Sequence, residues 1–101
     1  MAKKEAKILC ETPTPGKEGT RIPQWKYAAV RAAIRKVVPR SEKGIEFREL
    51  AGLVDAALSV DARRDLGSVG WHTVTVKLHM EVIGEIERIA GAKPQRIRRV
   101  R

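Results

Sequence analysis

Apolar residues between positions 23 and 58 recur at spacings of three and four, the pattern of helices with one buried face. The first helix is predicted at 23–38, because proline suits its first position and the residue before Pro39 is pushed out of helical geometry. Its buried stripe consists of Tyr27, Val30, Ile34, Val37 and Val38. After the turn SEKG and a short strand in GIEF, a second stripe predicts a helix at 47–58. That stripe consists of Phe47, Leu50, Val54, Ala57 and Leu58.

Residues 69–83 fit two different periods. Every second residue from Val74 to Val82 is apolar, and many residues here are β-branched, which is typical of a strand. Such a length without a turn signal exceeds a usual strand, however, and Gly84 stands where a glycine commonly ends a helix. We therefore predict a helix at 69–83 with two opposite stripes. One stripe contains Trp71, Val74, Leu78 and Val82, and the other contains Val69, Thr73, Val76, Met80 and Ile83.

The last segment, GEIERIAGAKPQRIRRVR, has two short alternating stretches around a loop that contains glycine and proline. This pattern predicts a β-hairpin at 85–100. At the other end of the chain, residues 1–21 are rich in Pro, Gly and Thr, which predicts a flexible or extended N-terminal arm. The expected organisation is this arm followed by one α+β domain at 22–101.

The net charge of +9 is unevenly distributed along the chain. Residues 1–43 contain eleven Lys and Arg against four acidic residues, residues 44–66 contain three against five, and residues 67–101 contain seven against three. Two basic ends on a small protein favour a polyanionic partner, most simply nucleic acid. A basic surface that only confers solubility is the alternative.

Cysteine usage and hydropathy bear on location. The longest apolar stretches are too short to span a bilayer, and the lysine-containing N-terminus lacks the apolar region of a secretory signal. Cys10 is the single cysteine, which excludes an intramolecular disulfide and favours a reducing compartment. We expect a cytoplasmic protein without a membrane partner.

The predicted order of helix, short strand, helix, helix and hairpin resembles that of winged helix-turn-helix domains. The residues TVTVKLHMEVIGEIERIAGAKPQRIRRV are similar to the third helix and wing of that superfamily, and IGEIERI matches the junction between them. RIPQWKYAAVRAAI and GSVGWHTVTVKLHMEVIGEIER also resemble a small, functionally uncharacterised bacterial family of winged-helix-like proteins, over residues 11–101. The resemblance implies an α+β fold with a winged-helix-like three-helix core and a C-terminal β-hairpin wing.

In DNA-binding winged helices the third helix enters the major groove and the wing contacts phosphates or the minor groove. The resemblance assigns helix positions to His72, Thr73, Thr75, Lys77 and His79, and wing positions to Lys93, Gln95, Arg96, Arg98 and Arg99. Lys and Arg neutralise phosphates, while Gln and Thr reach base edges. We therefore expect solvated wing side chains, binding to double-stranded DNA through the wing and the basic flank of the first helix, and a role in transcription regulation. Charges that only protect an exposed edge strand are the alternative.

The two stripes of the third helix suggest a second function. Whichever stripe packs on the core, the other leaves apolar side chains outside, where a helix that contacts bases would be polar. Trp71, Val74, Leu78 and Val82 are therefore a candidate interaction face for homodimerisation or for capture of another protein. Trp71 is expected to be mostly buried, either by its own domain or by a partner chain.

A catalytic role is not expected. His72 and His79 are seven residues apart, which on a helix is two turns, or about 10.5 Å, and too far for one metal ion. The sequence contains neither a glycine-rich phosphate loop nor a nucleophile elbow, so we expect no catalytic residues, metal or cofactor.

Overall fold

The structure, a computed structural model, describes residues 6–101, which form an α+β fold with four α-helices and two small antiparallel sheets. The elements are, in chain order, β1 (Lys7–Cys10), β2 (Thr20–Pro23), α1 (Gln24–Val37), β3 (Ile45–Glu46), α2 (Leu50–Ala57), α3 (Val60–Leu66), α4 (Val69–Val82), β4 (Ile86–Arg88) and β5 (Arg96–Arg99). The predicted α+β class is confirmed at this level.

Helix α1 agrees with the helix predicted at 23–38. Pro23 stands immediately before its first helical residue. Val38 is extended, with φ −89° and ψ 118°, because Pro39 follows it. Its N–H still donates to the Ile34 carbonyl at 2.9 Å, so the last turn of the helix is closed. Val30 and Ile34 of the predicted stripe are fully buried.

The helix predicted at 47–58 begins as a single 3-10 turn, Phe47–Glu49, and continues as α2. Beyond it, Ser59 starts α3, because its Oγ accepts a hydrogen bond from the Ala62 N–H at 3.1 Å. Between the helices predicted at 47–58 and 69–83, the structure therefore has a separate short helix that buries Leu66.

The segment that fitted two different periods forms helix α4. Residues 69–82 are helical, so the strand interpretation is wrong. Ser68 caps its start, with Oγ accepting from the Trp71 N–H at 3.0 Å. Gly84 ends it with φ +79°, and the Glu85 N–H donates back to the Met80 carbonyl at 2.8 Å. The glycine therefore has the role that the sequence predicted.

The N-terminal arm expected at 1–21 is a β-hairpin over its described part. Strands β1 and β2 are antiparallel, and Cys10 and Ile22 lie in the hydrophobic core. The expected boundary between residues 21 and 22 falls inside β2, so the hairpin and the helices share one core. Residues 1–5 of the predicted arm lie outside the described residues.

The hairpin predicted at 85–100 is confirmed as β4 and β5, and β3 adds a third strand on the other side of β5. Ile97 pairs with Ile45 of β3 and with Arg88 of β4, so β5 is the central strand. Gly44 leads into this sheet with φ +57°, and a Cβ there would collide with the Ile97 carbonyl. This turn therefore requires glycine.

The hydrophobic core lies where α1, α2 and α4 meet the C-terminal sheet. Its central side chains are Val30, Ile34, Leu50, Val54, Val76, Met80, Ile86 and Ile97. Because Val76 and Met80 point into this core, the stripe that begins at Trp71 lies on the outer side of α4.

Candidate functional site

Three helix residues that were expected to contact DNA bases are buried. His72 is 8% exposed, and Thr73 and Lys77 are each 1% exposed. Thr75 is half-buried. The first three lie on the sides of α4 that pack against the rest of the protein, so they cannot enter a groove. The expectation of base contacts is wrong for them.

Lys77 is held inside the protein by charge and ring contacts. Its Nζ forms an ion pair with Glu81 and lies 4.4 Å from the centroid of the Phe47 ring. The guanidinium of Arg88 contacts the other Glu81 oxygen, with Nε at 2.9 Å. Burial lowers the pKa of Lys77, and the contact with Glu81 opposes that shift. Lys77 thus joins α4 to the turn before α2, where no ligand reaches it.

The histidines of α4 also bond inside the protein. His72 Nδ1 lies 2.7 Å from the Ser68 carbonyl, and His79 Nδ1 accepts the Glu11 N–H at 3.0 Å. Within residues 6–101, no group of three or more His, Cys, Asp and Glu side chains is arranged to hold a metal ion. Cys10 is buried, and that burial raises the pKa of its thiol, which keeps it protonated and unreactive.

The arginines of the C-terminal hairpin were expected to be solvated, but they are half-buried and bound to the protein itself. Arg96 Nε donates to the Lys43 carbonyl at 2.8 Å, Arg98 Nε lies 2.7 Å from Glu87 Oε1, and Arg99 Nε donates to the Val38 carbonyl at 3.3 Å. Gln95 is half-buried, and Lys93 is exposed. The expectation of solvation is therefore wrong for the three arginines, because the hairpin folds against the end of α1 and the turn that follows it.

The outer stripe of α4 is exposed. Trp71 is 47% exposed, Val74 and Val82 are each 40% exposed, and Leu78 is half-buried. Ile83, predicted on the opposite stripe, is also 40% exposed, because it follows the last helical residue. We call these five residues the α4 outer face. The expectation that its own domain buries Trp71 is wrong, whereas burial by a partner chain stays a prediction.

The N-terminal hairpin covers only the middle of the α4 outer face. Thr75 and Leu78 line a cavity together with residues 10–12 of the hairpin. The two ends of the face, at Trp71 and at Ile83, remain open. The structure thus leaves two apolar areas on one helix, separated by the hairpin.

Ion pairs determine where the surplus positive charge lies. Acidic side chains pair with arginine in Arg48–Glu46, Arg63–Asp55, Arg64–Asp65, Arg88–Glu81 and Arg98–Glu87. In the part of the chain that the structure describes, ten basic residues have no carboxylate within 4.0 Å: Lys7, Lys17, Arg21, Lys26, Lys36, Arg40, Lys43, Lys93, Arg99 and Arg101. Part of the unpaired charge therefore lies on the N-terminal hairpin and the start of α1, and the rest lies around the end of α1 and in the C-terminal hairpin.

A cluster of charged side chains that the sequence did not reveal lies beside the unpaired basic residues at the end of α1. Glu85 is buried and binds Arg31 through both oxygens, with Arg31 Nε 2.9 Å from Oε1, while Arg35 Nη1 lies 3.4 Å from Oε2. The hydrogen bond from Arg31 lowers the pKa of Glu85, and the charges of Arg31, Arg35 and Arg101 add to the effect. The two α1 arginines are four residues apart, but no local pattern pairs them with a distant glutamate. We call Arg31, Arg35, Lys36, Arg40, Arg99 and Arg101 the basic surface.

Comparison with protein families matches residues 7–97 to a family of unknown function (DUF6958), so the chain belongs to that family. No curated protein and no solved structure matches the chain. Among the described residues, no helix is long and apolar enough to cross a membrane. The α4 outer face and the basic surface are the two features of the described residues from which we infer a function.

Proposed function

We propose that the protein is an interaction module on a winged-helix-like scaffold, and that its α4 outer face packs against a second copy of the chain. The proposal includes a cytoplasmic location and no catalytic activity, metal or cofactor. The observation that carries it is the exposure of Trp71, Val74 and Val82 on one side of a helix whose predicted base-contacting residues are buried.

The element order supports the winged-helix-like scaffold. A strand between the first two helices, β3, pairs with the second strand of the C-terminal hairpin, and the sheet order is β3-β5-β4. On this scaffold α4 has the position of the helix that enters a major groove in DNA-binding relatives of the fold. Helix α3 and the N-terminal hairpin are additions to that plan.

The chemistry of the α4 outer face favours a protein partner over DNA bases. Base edges are contacted by side chains that donate or accept hydrogen bonds, and Trp71, Val74 and Val82 are apolar. Exposed apolar side chains that share one helix face are typical of protein contacts. A second copy is the simplest partner, because a two-fold interface uses the same face on both subunits.

Sedimentation velocity at several protein concentrations and salt concentrations tests self-association. A chain with net charge +9 repels its own copy, and salt screens that repulsion, so the dimer should become tighter as salt is raised. Val74→Lys should abolish the dimer. Val60→Lys is the matched control, because Val60 is also an exposed valine on a helix but lies on α3. A chain that stays monomeric at every salt and protein concentration overturns the proposal.

Nucleic-acid binding is the second candidate function, and the unpaired basic residues near Arg40 and Arg99 favour it. Double-stranded DNA is the expected form, with transcription regulation as the expected role. Binding to random-sequence duplex DNA at low salt, which weakens steeply as salt is added, is the expected result. No duplex binding at low salt would remove this candidate. Salt thus acts in opposite directions on the two functions, so one salt series distinguishes them.

A further inference from the structure

We infer that the basic surface is a binding site for the phosphate groups of a nucleic-acid backbone, with Glu85 as the buried anchor that orients its arginines. The inference rests on the second candidate function and assigns its phosphate contacts to the C-terminal half of α1, to the residues that follow it, and to Arg99 and Arg101. It is carried by the binding of Arg31 and Arg35 to one buried carboxylate, and by the hydrogen bond from Arg35 to the Arg101 carbonyl.

The anchor holds the two α1 arginines in fixed positions. Glu85 is 5% exposed, and its two oxygens accept hydrogen bonds from Arg31 and Arg35. Arg35 Nη1 also donates to the Arg101 carbonyl at 2.7 Å, which ties the end of the chain to α1. One negative charge thus contacts two guanidinium groups, with the charge of Arg101 nearby, and a net positive charge remains. Side chains that are already fixed lose less conformational entropy when they bind a ligand.

The arginines retain donors that face outward. The side chains of Arg31 and Arg35 are 38% and 32% exposed. Across the described residues, the recorded protein hydrogen bonds of Arg35 use Nη1 and leave Nε and Nη2 available. A guanidinium with two free nitrogens on one edge fits the oxygens of a phosphate group as a bidentate donor.

Arg99 connects this cluster to the exposed basic residues around the end of α1. Its N–H donates to the Pro39 carbonyl at 2.8 Å, and its Nε donates to the Val38 carbonyl at 3.3 Å. Lys36 and Arg40 lie on either side of this contact in the sequence, and both are exposed. The positive side chains therefore form a continuous surface, which is what a phosphate backbone with regularly spaced charges requires.

Basic residues at a helix C-terminus also have a structural explanation, because they interact favourably with the helix dipole. That explanation covers Arg35 and Lys36, which lie in the last turn of α1. It does not require Arg99 and Arg101, which reach the same place from the end of the C-terminal sheet. Convergence of two separate segments is the reason to assign a ligand here.

Fluorescence anisotropy with a labelled random-sequence DNA duplex, over a salt series, tests the site. The test variant is Lys36→Gln combined with Arg40→Gln, because both side chains are exposed and have no recorded ion pair. If each contacts a phosphate, the slope of log affinity against log salt should fall by about two. The matched control is Arg48→Gln combined with Arg63→Gln, which removes the same charge from arginines already paired with carboxylates. The control should leave the slope nearly unchanged.

A second variant tests the guanidinium geometry. Arg35→Lys keeps the charge but loses the planar fork, so duplex affinity should fall several-fold while the circular dichroism spectrum stays native. Unchanged affinity in this variant would contradict the bidentate contact.

Inorganic phosphate, titrated against chloride at equal ionic strength, distinguishes the source of the phosphate. Equal displacement by both salts supports a backbone site, whereas preferential displacement by phosphate would indicate a site for free phosphate and overturn the assignment.

The outcomes distinguish a failure of the basic surface from a failure of nucleic-acid binding as a whole. A parent protein that binds duplex DNA, with test and control variants that bind equally well, overturns the basic surface and leaves nucleic-acid binding in place through other residues. A parent protein that does not bind at low salt overturns both. A selective loss in the Lys36 and Arg40 variant supports the site.

Discussion

The ammonium nitrogen of Lys77 lies 4.4 Å from the centre of the Phe47 ring inside the protein, while the Trp71 side chain on the same helix is 47% exposed. A charged side chain is buried and a large aromatic one faces outward, which reverses the usual preference of the two residue types. The charge is compensated because Lys77 also pairs with Glu81. Lys77 lies on the same inward side of α4 as Val76 and Met80, and this orientation leaves Trp71 on the α4 outer face.

Substitutions at Lys77 should depend on volume more than on charge. Lys77→Met fills nearly the same space without a buried charge, so we predict that the free energy of unfolding stays within about 1.5 kcal/mol of the parent. Lys77→Ala leaves a cavity and should lower it by about 2–5 kcal/mol. Arg88 still neutralises Glu81 in both variants. Urea unfolding measures both values, and equal losses in the two variants would show that the ion pair matters more than packing.

The pH dependence of stability should contain a contribution from Glu85. Its pKa is lower in the folded chain than in the unfolded chain, chiefly through Arg31, so the ionised carboxylate stabilises the fold. This stabilisation is fully present above about pH 5 and is lost as the pH falls through the ordinary glutamate value of about 4.3 towards the folded-state pKa. We predict that Glu85→Gln lowers the free energy of unfolding at neutral pH by about 1–3 kcal/mol.

Urea unfolding of parent and variant between neutral and acidic pH checks this prediction. The difference between parent and Glu85→Gln should shrink as the pH falls. Glu42→Gln, at an exposed position, is the control and should differ little from the parent at any pH. A difference that stays constant on acidification would mean that the Glu85 side chain contributes through packing and not through its charge.

Helices α1, α2 and α4 and the C-terminal hairpin could be predicted because their signals are local. Pro39 ends α1 and Gly84 ends α4 where the sequence indicates. The rotation of α4 could not be predicted, because both of its stripes contain apolar residues and the choice depends on packing against core residues that are distant in sequence. The N-terminal hairpin was missed because its loop, rich in proline and glycine, outweighs two strands of four residues each.

The candidate surfaces were predictable to different degrees. The sequence grouped Trp71, Val74 and Val82 on one stripe, and that stripe is exposed. The sequence predicted part of the basic surface, namely Arg99 and the basic flank of the first helix. It did not predict the cluster around Glu85, because Arg31 and Glu85 are brought together by tertiary packing alone. Charge counts along the chain reveal a surplus of positive charge, but they do not reveal which basic side chains are neutralised by ion pairs.

Trp71→Ala should have a smaller effect on the monomer than the truncation of a buried aromatic residue. About half of Trp71 is already in water, although its ring and the His72 ring are nearly perpendicular, with their centroids 4.8 Å apart. We predict a loss of about 1–2 kcal/mol in the free energy of unfolding at low protein concentration, against the 3–5 kcal/mol typical of full burial. Thermal unfolding at low and high protein concentration measures it. An additional loss that appears only at high concentration is expected if Trp71 lies in a dimer interface.

Two glycine-to-alanine substitutions should change stability in opposite directions. Gly44 has φ +57°, and a Cβ there would collide with the Ile97 carbonyl, so Gly44→Ala should lower the free energy of unfolding by at least about 2 kcal/mol. Gly52 lies inside α2 with open space around it, so Gly52→Ala should raise that free energy by about 0.5–1 kcal/mol. Urea midpoints of the two variants are the measurement. A neutral Gly44→Ala would mean that the turn before β3 is more adaptable than its geometry indicates.

Arg96 and Lys93 should separate the structural role of the C-terminal hairpin from its charge. Arg96 donates to the Lys43 carbonyl at 2.8 Å and to the Gly44 carbonyl at 3.4 Å, so Arg96→Gln should lower the free energy of unfolding by about 1–2 kcal/mol. Lys93 is exposed, and Lys93→Gln should change it by less than about 0.5 kcal/mol. Each substitution removes one positive charge, so urea unfolding combined with duplex binding distinguishes the two effects. Because the phosphate contacts are assigned to the basic surface, which contains neither Arg96 nor Lys93, neither substitution should reduce the salt slope by as much as one unit. A reduction of about one unit in both variants would return the phosphate contacts to the hairpin.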